Sequence, residues 1–594
     1  MKERLNLLSF TALLLVSLAA LPAQEPEKTP PEKEKVSLIA LSGTYADLPE
    51  AGLSLTGLMT GGATPKAFHP IVEGLRSIAG KPGPGWVLFD LSQPLTLNLA
   101  HLAELDRCVA ELRRSGKKVC AYLETAGRSH YQVASQCDEI VMADLGGLDL
   151  SSLSMSVLFF KDALDLLGVR MSVVRCGDFK GAVEPYTLPR MSDPLRDHYM
   201  AMVRQMNQEL VQRVVRGRGL DGALVRRMNA KRMFTASMAK KSGLVDRLVP
   251  WQGARAAFVQ VRGNEDFELV NGLEEKKKKS ISLNPLTLLA NLVRPKKEEE
   301  VESATVAVLH LSGGIIDGTE PSPGSIVSGP TVKLVESLAE NDEVKAVVVR
   351  INSPGGSATA SEAILLALTE LAREKPVVCS MGSVAASGGY YVTCFGRPIL
   401  AEAGTITGSI GVFGMKPDLG ALMRRVGLHE ETIALDTSAG MDSLGGGWTE
   451  EFQGAMQAVV NEIYDRFIDH VARSRSLDRD RVLEMAGGRV WSGEQAKANG
   501  LVDRIGGLWD AIALVREEAR LKDGFDVVHM PSPRSFMESI AQSLVGTRLM
   551  GGLDHALFRR LAETTLPRTL LWDALMNDGP ARVWAAMPAE LRLR

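Results

Sequence analysis

The chain is 594 residues long, so a single compact core is excluded and roughly four domains of about 150 residues, or fewer larger ones, are expected. Hydrophobic residues at 45% and charged residues at 23% are ordinary globular composition and argue against disorder or a wholly membrane-embedded chain. The 68 Lys+Arg against 71 Asp+Glu give a formal charge of -3 and no electrostatic footprint for nucleic acid, and six cysteines are too few for a disulfide scaffold.

Residues 1–23 open with Lys2 and Arg4, continue in an apolar run over 5–20 and close on Leu21-Pro22-Ala23 before Gln24: the charged, apolar and small-residue regions of an export signal. The bulk of the chain is therefore expected outside the cytoplasm. Cleavage after Ala23 and retention as an anchor both stay open, because the run falls short of the ~20 apolar residues of a spanning helix. No cysteine lies near that point to carry a lipid. Residues 24–35, QEPEKTPPEKEK, read as a Pro- and charge-rich tether.

From residue 36 onward the chain contains itself twice. VSLIALSG from Val36 matches VAVLHLSG from Val306, and WVLFDLSQP from Trp86 matches AVVVRINSP from Ala346. KVC at Lys118 matches VVC at Val377, and AKKSGLVDR from Ala239 matches AKANGLVDR from Ala496. The order is unchanged and the separations stay between 257 and 270 residues, so we expect two repeats, 36–272 and 304–530. Short apolar runs alternate with amphipathic stretches, as in strand 344–351, helix 360–373, strand 377–379 and a further helix after Ser387. That pattern predicts an α/β layered core in each repeat.

In the first repeat, VRMSVVRCGDFKGAVEP over 169–185 sets Lys180 just past an apolar strand, where the second repeat has Ala439. The linker, 273–303, carries KKKK and KKEEE around an apolar stretch at 283–293, and whether that stretch touches lipid or a neighbouring subunit stays open. In the second repeat the strand ending at Ile351 runs into Asn352-Ser-Pro-Gly355-Gly356-Ser357. Adjacent glycines there let the backbone turn N–H groups toward a ligand. The next strand leads to Ser387, followed by Gly388, at the head of a helix-compatible stretch. The hydroxyl thus reads as a candidate nucleophile, beside an oxyanion hole formed by Gly388 with the Gly355-Gly356 turn. The first repeat has Leu95-Thr96 at the glycine pair, and ungapped alignment puts Arg128 opposite Ser387. Nine histidines are scattered, none in these motifs, and His429 falls in a turn, so Ser-His-Asp is not supported. A lysine base must have its pKa of about 10.4 lowered by about three units, which requires desolvation. The partition of Lys180 to one copy and Ser387 to the other singles out that lysine. The tail, 531–594, is expected to be helical, with 532–544 resembling the linker stretch.

These residues resemble a known family. Ala386-Ser387-Gly-Gly-Tyr390, Asn352-Ser-Pro-Gly-Gly356, Thr407-Gly-Ser409-Ile-Gly411 and Gly177-Asp-Phe-Lys180-Gly look like the signal peptide peptidase A family of bacterial serine proteases in its long tandem form. The resemblance implies a crotonase-like, or Clp-protease-like, fold in each repeat and a Ser/Lys dyad of Ser387 and Lys180. It further implies an oxyanion hole at Gly388, Gly355 and Gly356, with Ser409 orienting the lysine. It also implies a membrane-associated homo-oligomer, a tetramer by resemblance, acting on signal-peptide remnants in the cell envelope, periplasmic or on the outer face of the inner membrane. Two other classes are a crotonase-type acyl-CoA enzyme, disfavoured by the export signal and Ser387, and a non-catalytic envelope scaffold. No CxxC, HExxH or GxxxxGK[ST] occurs, so no cofactor, metal or ATP-driven step is expected. The cysteines read as buried small hydrophobes, with no disulfide.

Overall fold

The computed structural model describes residues 33–48, 65–81, 83–273, 305–522 and 524–531, together with the backbone of 583–586. The export-signal residues 1–23, the linker stretch 283–293 and the 532–544 stretch lie outside the described residues.

The first half carries β1 (Glu34–Ala40), β2 (Gly85–Leu91), β3 (Lys117–Ala126), β4 (Glu139–Asp149), β5 (Arg170–Cys176), β6 (Arg247–Val249) and β7 (Phe267–Asn271). All but β5 form one sheet in the order β6-β4-β3-β2-β1-β7, every neighbour parallel. The second half carries β8 (Thr305–Ser312), β9 (Gly314–Ile316), β10 (Ser325–Val327), β11 (Val344–Ser353), β12 (Gly355–Ser357) and β13 (Val377–Ala386). There follow β14 (Ile406–Gly408), β15 (Val412–Asp418), β16 (Val490–Ser492) and β17 (Asp526–Met530). Its main sheet runs β16-β14-β13-β11-β8-β17 and is parallel except for β16. The duplication is visible in this shared order: each sheet has an antiparallel edge segment, Met233–Thr235 in one half and β16 in the other.

Helices cover both faces of these sheets, so the strands are apolar without alternation: Val347, Val348 and Val349 on β11 are all fully buried. The following helix, Ala358–Glu374, starts where Ser357 accepts a hydrogen bond from the Ala360 amide, and buries Ile364, Leu365, Leu368 and Leu371 on one stripe. The strand expected over 377–379 continues to Ala386, because β11 keeps pairing it as far as Ser353↔Ala385. The helix expected after Ser387 is a single turn, Gly388–Tyr391, and Cys394 lies beyond it, buried. All six cysteines are free thiols.

The halves interlock. Strand β5 leaves its own sheet and pairs antiparallel with β15 of the second half, from Cys176↔Val412 to Arg170↔Asp418. The second-half helix Glu450–Arg475 covers β5, with Gln453 and Gln457 donating to the Val173 and Arg175 carbonyls. Reciprocally, His198 on the first-half helix Asp193–Arg218 accepts from the Val490 amide at 3.0 Å. Fully buried Arg350 on β11 donates to Ser380 Oγ and the Met381 carbonyl in its own half, and to Asp47 and Glu104 in the other. Burial alone would raise the Asp47 pKa, but Arg350 and His101 override it and hold that carboxyl well below the usual range.

Within the tail expected to be helical, Val583–Ala586 instead forms a strand, β18. Its backbone pairs on both sides, which fixes it as extended: a smaller sheet runs β10-β9-β12-β18-β15-β5. No helix among the described residues is long and apolar enough to cross a membrane.

Candidate active site

Four segments converge at the ends of β11, β13 and β14, the edge where an open βα sheet offers its crevice. Ser387 follows β13 at φ 56° and ψ -118°, a conformation that costs a non-glycine residue about 1–3 kcal/mol. Two backbone bonds hold it there: the Ser387 amide donates to the Gly408 carbonyl, and the Tyr391 amide to the Ser387 carbonyl, each at 2.8 Å. In the first half the residue capping the helix after β3 is Gly127, with Arg128 next. The ungapped alignment was thus one residue out at this turn, which has no hydroxyl at either position.

Lys180 comes from the first half, carried to Ser387 by the β5–β15 pairing. Its Nζ lies 2.6 Å from Ser387 Oγ, 3.0 Å from the Ser409 carbonyl and 3.2 Å from Ser409 Oγ. All three residues are fully buried. Burial pushes the Lys180 pKa well below the ordinary lysine value, and no carboxylate counters it. A neutral amine has two N–H bonds and one lone pair. With the N–H bonds directed at the two Ser409 oxygens, the lone pair faces the Ser387 hydroxyl, the arrangement a general base requires.

Lys180 is held by residues that the sequence reading missed. The Phe179 amide donates to the Gly487 carbonyl at 2.8 Å, and Arg489 lies 4.1 Å over the Phe179 ring. Gly488, at φ 85°, passes so near that a Cβ there would sit 2.3 Å from the Lys180 backbone nitrogen. The adjacent glycines Gly487-Gly488 were the available signal, and their partner in the other half was not readable from sequence.

The glycine turn lies beside the serine. Gly356 pairs with Ile315 on β9, and a Cβ would meet the Ile315 carbonyl oxygen at 1.9 Å, so only glycine fits. The Gly355 amide is engaged by Ser353 Oγ at 3.1 Å, a partner not foreseen from the sequence. Gly388 opens the one-turn helix, a position whose amide has no intrahelical acceptor and can turn toward a developing oxyanion. Ser409, also at a positive φ of 53°, is fixed by its amide donating to the Arg489 carbonyl at 2.6 Å.

Away from this site, His69, Glu73 and His529 have the side chains of a metal set. The two imidazoles stack, with centroids 3.9 Å apart and planes 19° apart, so their in-plane lone pairs run side by side and do not meet at one point. The grouping is a packed seam between the halves.

The profile of peptidase family S49 matches residues 111–263 and again 369–522. Similar proteins include Protease 4 of Salmonella typhi, 30% identical over 526 residues that cover 86% of this chain and 82% of that protein. Serine protease SPPA, chloroplastic, of Arabidopsis thaliana is 26% identical over 481 residues, 80% of this chain and 69% of the relative. Putative signal peptide peptidase SppA of Enterococcus faecium is 32% identical over 206 residues, 34% of this chain and 60% of the relative.

Proposed function

We propose, given that the chain belongs to peptidase family S49 and is a serine-type peptidase, that Ser387 is its nucleophile and Lys180 its general base. The observation that carries this reading is the 2.6 Å contact between Lys180 Nζ and Ser387 Oγ, made within one chain and closed to solvent. Neutral Lys180 takes the Ser387 proton as Oγ attacks the peptide carbonyl carbon. The Gly388 amide steadies the negative oxygen beside the Gly355-Gly356 turn, whose Gly355 amide must first leave Ser353 Oγ to join it, and Ser409 holds the amine in place. Lys180 then hands the proton to the departing amine as the C–N bond breaks, and water removes the acyl group from Ser387 by the same route.

The substrates are peptides. We assign them more narrowly as signal-peptide remnants and other short apolar peptides, because a groove that keeps a lysine neutral disfavours charge beside it. The export-type residues 1–23 support work in the cell envelope. Turnover of a fluorogenic Leu/Ala-rich peptide is expected to fall to background in Ser387→Ala. Wild-type turnover in that variant would refute the assignment.

We also assign a homo-oligomeric state. Leu166 on the first half and Val426, Leu428, Ile433 and Leu435 on the second are exposed, Ile433 at 98%. The Arg425 guanidinium donates to the Leu166 carbonyl and joins the two patches. Large apolar side chains exposed this closely along 426–435 are best covered by a second copy. Light scattering of the purified protein should give a multiple of the chain mass, and a monomer at micromolar concentration would contradict it.

A further inference from the structure

The smaller sheet contains a strand that does not belong to either repeat. Between β12, which carries the Gly355-Gly356 turn, and β15, which follows Ser409, lies β18 from residues 583–586. It pairs antiparallel with both neighbours: Ala586, Ala585 and Trp584 stand opposite Gly355, Gly356 and Ser357, and Trp584 and Val583 stand opposite Phe413 and Gly414. Take β18 away and β12 and β15 become two facing edges about 10 Å apart, two strand spacings, each with unpaired backbone groups. Such a slot accepts an extended peptide by strand addition, and main-chain bonds supply sequence-tolerant affinity.

The slot borders the chemistry. Ser353 on β11 pairs with Ala385 on β13, and the chain runs on from these two partners to Gly355 and to Ser387, each two residues further. The one-turn helix behind Ser387 packs against β12. Ala586 stands opposite Gly355, so β18 lies along the glycine turn that borders the nucleophile's helix. Ser387 and Lys180 are meanwhile fully buried.

We propose that residues 583–586 are an internal ligand of the peptide groove, seated in the register of a substrate strand and competing with incoming peptide. The proposal rests on the peptidase reading of the same site. It assigns the substrate geometry as well: an extended peptide enters antiparallel to both Gly355–Ser357 and Phe413–Gly414. A strand that fills the groove in about nine chains of ten raises the apparent KM about tenfold and leaves kcat alone, because only the open fraction binds.

The test compares the full-length chain with Ala585→Pro, which removes a backbone donor and blocks strand pairing, and with a chain ending at Arg582. Both variants are expected to lower the KM for the fluorogenic peptide about tenfold at unchanged kcat. Added Val-Trp-Ala-Ala peptide should raise the KM of Ala585→Pro competitively. If the shortened chain does not fold, Ala585→Pro decides alone. An Ala585→Pro KM equal to that of the full-length chain, with Ser387→Ala inactive, overturns the internal ligand and leaves the peptidase reading intact. Full turnover in Ser387→Ala overturns both.

Discussion

Lys180→Met is expected to lose roughly 10²–10⁴ of kcat/KM, the contribution of a positioned general base, and at the same time to unfold at a higher denaturant concentration than wild type at neutral pH. Methionine fills about the volume of the lysine stem, so the fully buried site keeps its packing while Ser387 loses the acceptor for its proton. The gain in stability follows from the lowered lysine pKa. Between that value and the ordinary lysine value the unfolded chain carries a proton that the folded chain does not. Stability therefore rises with pH through this window, and the lysine costs the fold more at its lower end than at its upper end. Methionine has no such cost. Urea unfolding at pH 7 and pH 9 should show the variant ahead of wild type, with the gap narrowing at the higher pH. A less stable variant, or one with wild-type turnover, would contradict this account of Lys180 and match an ordinary structural lysine.

Arg350→Met should destabilise the protein by about 3–5 kcal/mol, the usual consequence of removing one partner from a buried ionic group. Arg350 lies fully buried in the middle of an apolar strand, and its guanidinium is the shared partner of Asp47 and Glu104, each only 4% exposed. Burial works against its charge, but the two carboxylates outweigh burial and raise its pKa. Taking it away strands two carboxylates at the seam and frees Ser380 Oγ and the Met381 carbonyl of a donor. Arg350→Lys should recover only part of the loss, since an ammonium cannot span four acceptors in one plane. Urea unfolding at neutral pH reads both variants. Because Lys180 and Ser387 meet across the halves, kcat/KM should fall along with stability. An Arg350→Met protein as stable as wild type would show that the network does not hold the halves together.

The repeat, its α/β class and the partition of Ser387 and Lys180 between the copies could be read from the sequence because duplicated segments act as mutual controls. Where both copies must build a βα layer they agree, and where only one carries chemistry they differ. Ser387 and Lys180 do stand in contact. What brings them together was not readable. The β5–β15 pairing joins segments far apart in sequence through backbone groups alone, which leave no side-chain pattern. The cradle of Gly487 and Gly488 around Lys180 depends on a close approach between halves, and a glycine pair in isolation reads as a turn. Arg350 was a visible anomaly, one charge inside Ala-Val-Val-Val-Arg-Ile, yet Asp47 and Glu104 lie in the other copy. The strand at 583–586 owes its conformation to the slot it enters, so no local periodicity announces it.

The most direct test is the pH dependence of phosphonylation of the serine by a fluorophosphonate probe, with the labelled residue identified by peptide mass spectrometry. The label should fall on Ser387, at a rate that rises with one ionisation well below the ordinary lysine value, and Lys180→Met should react slowly with no such ionisation. Labelling of another residue, or a Lys180→Met protein that reacts at the wild-type rate across the same pH range, would contradict the pairing of a neutral Lys180 with Ser387.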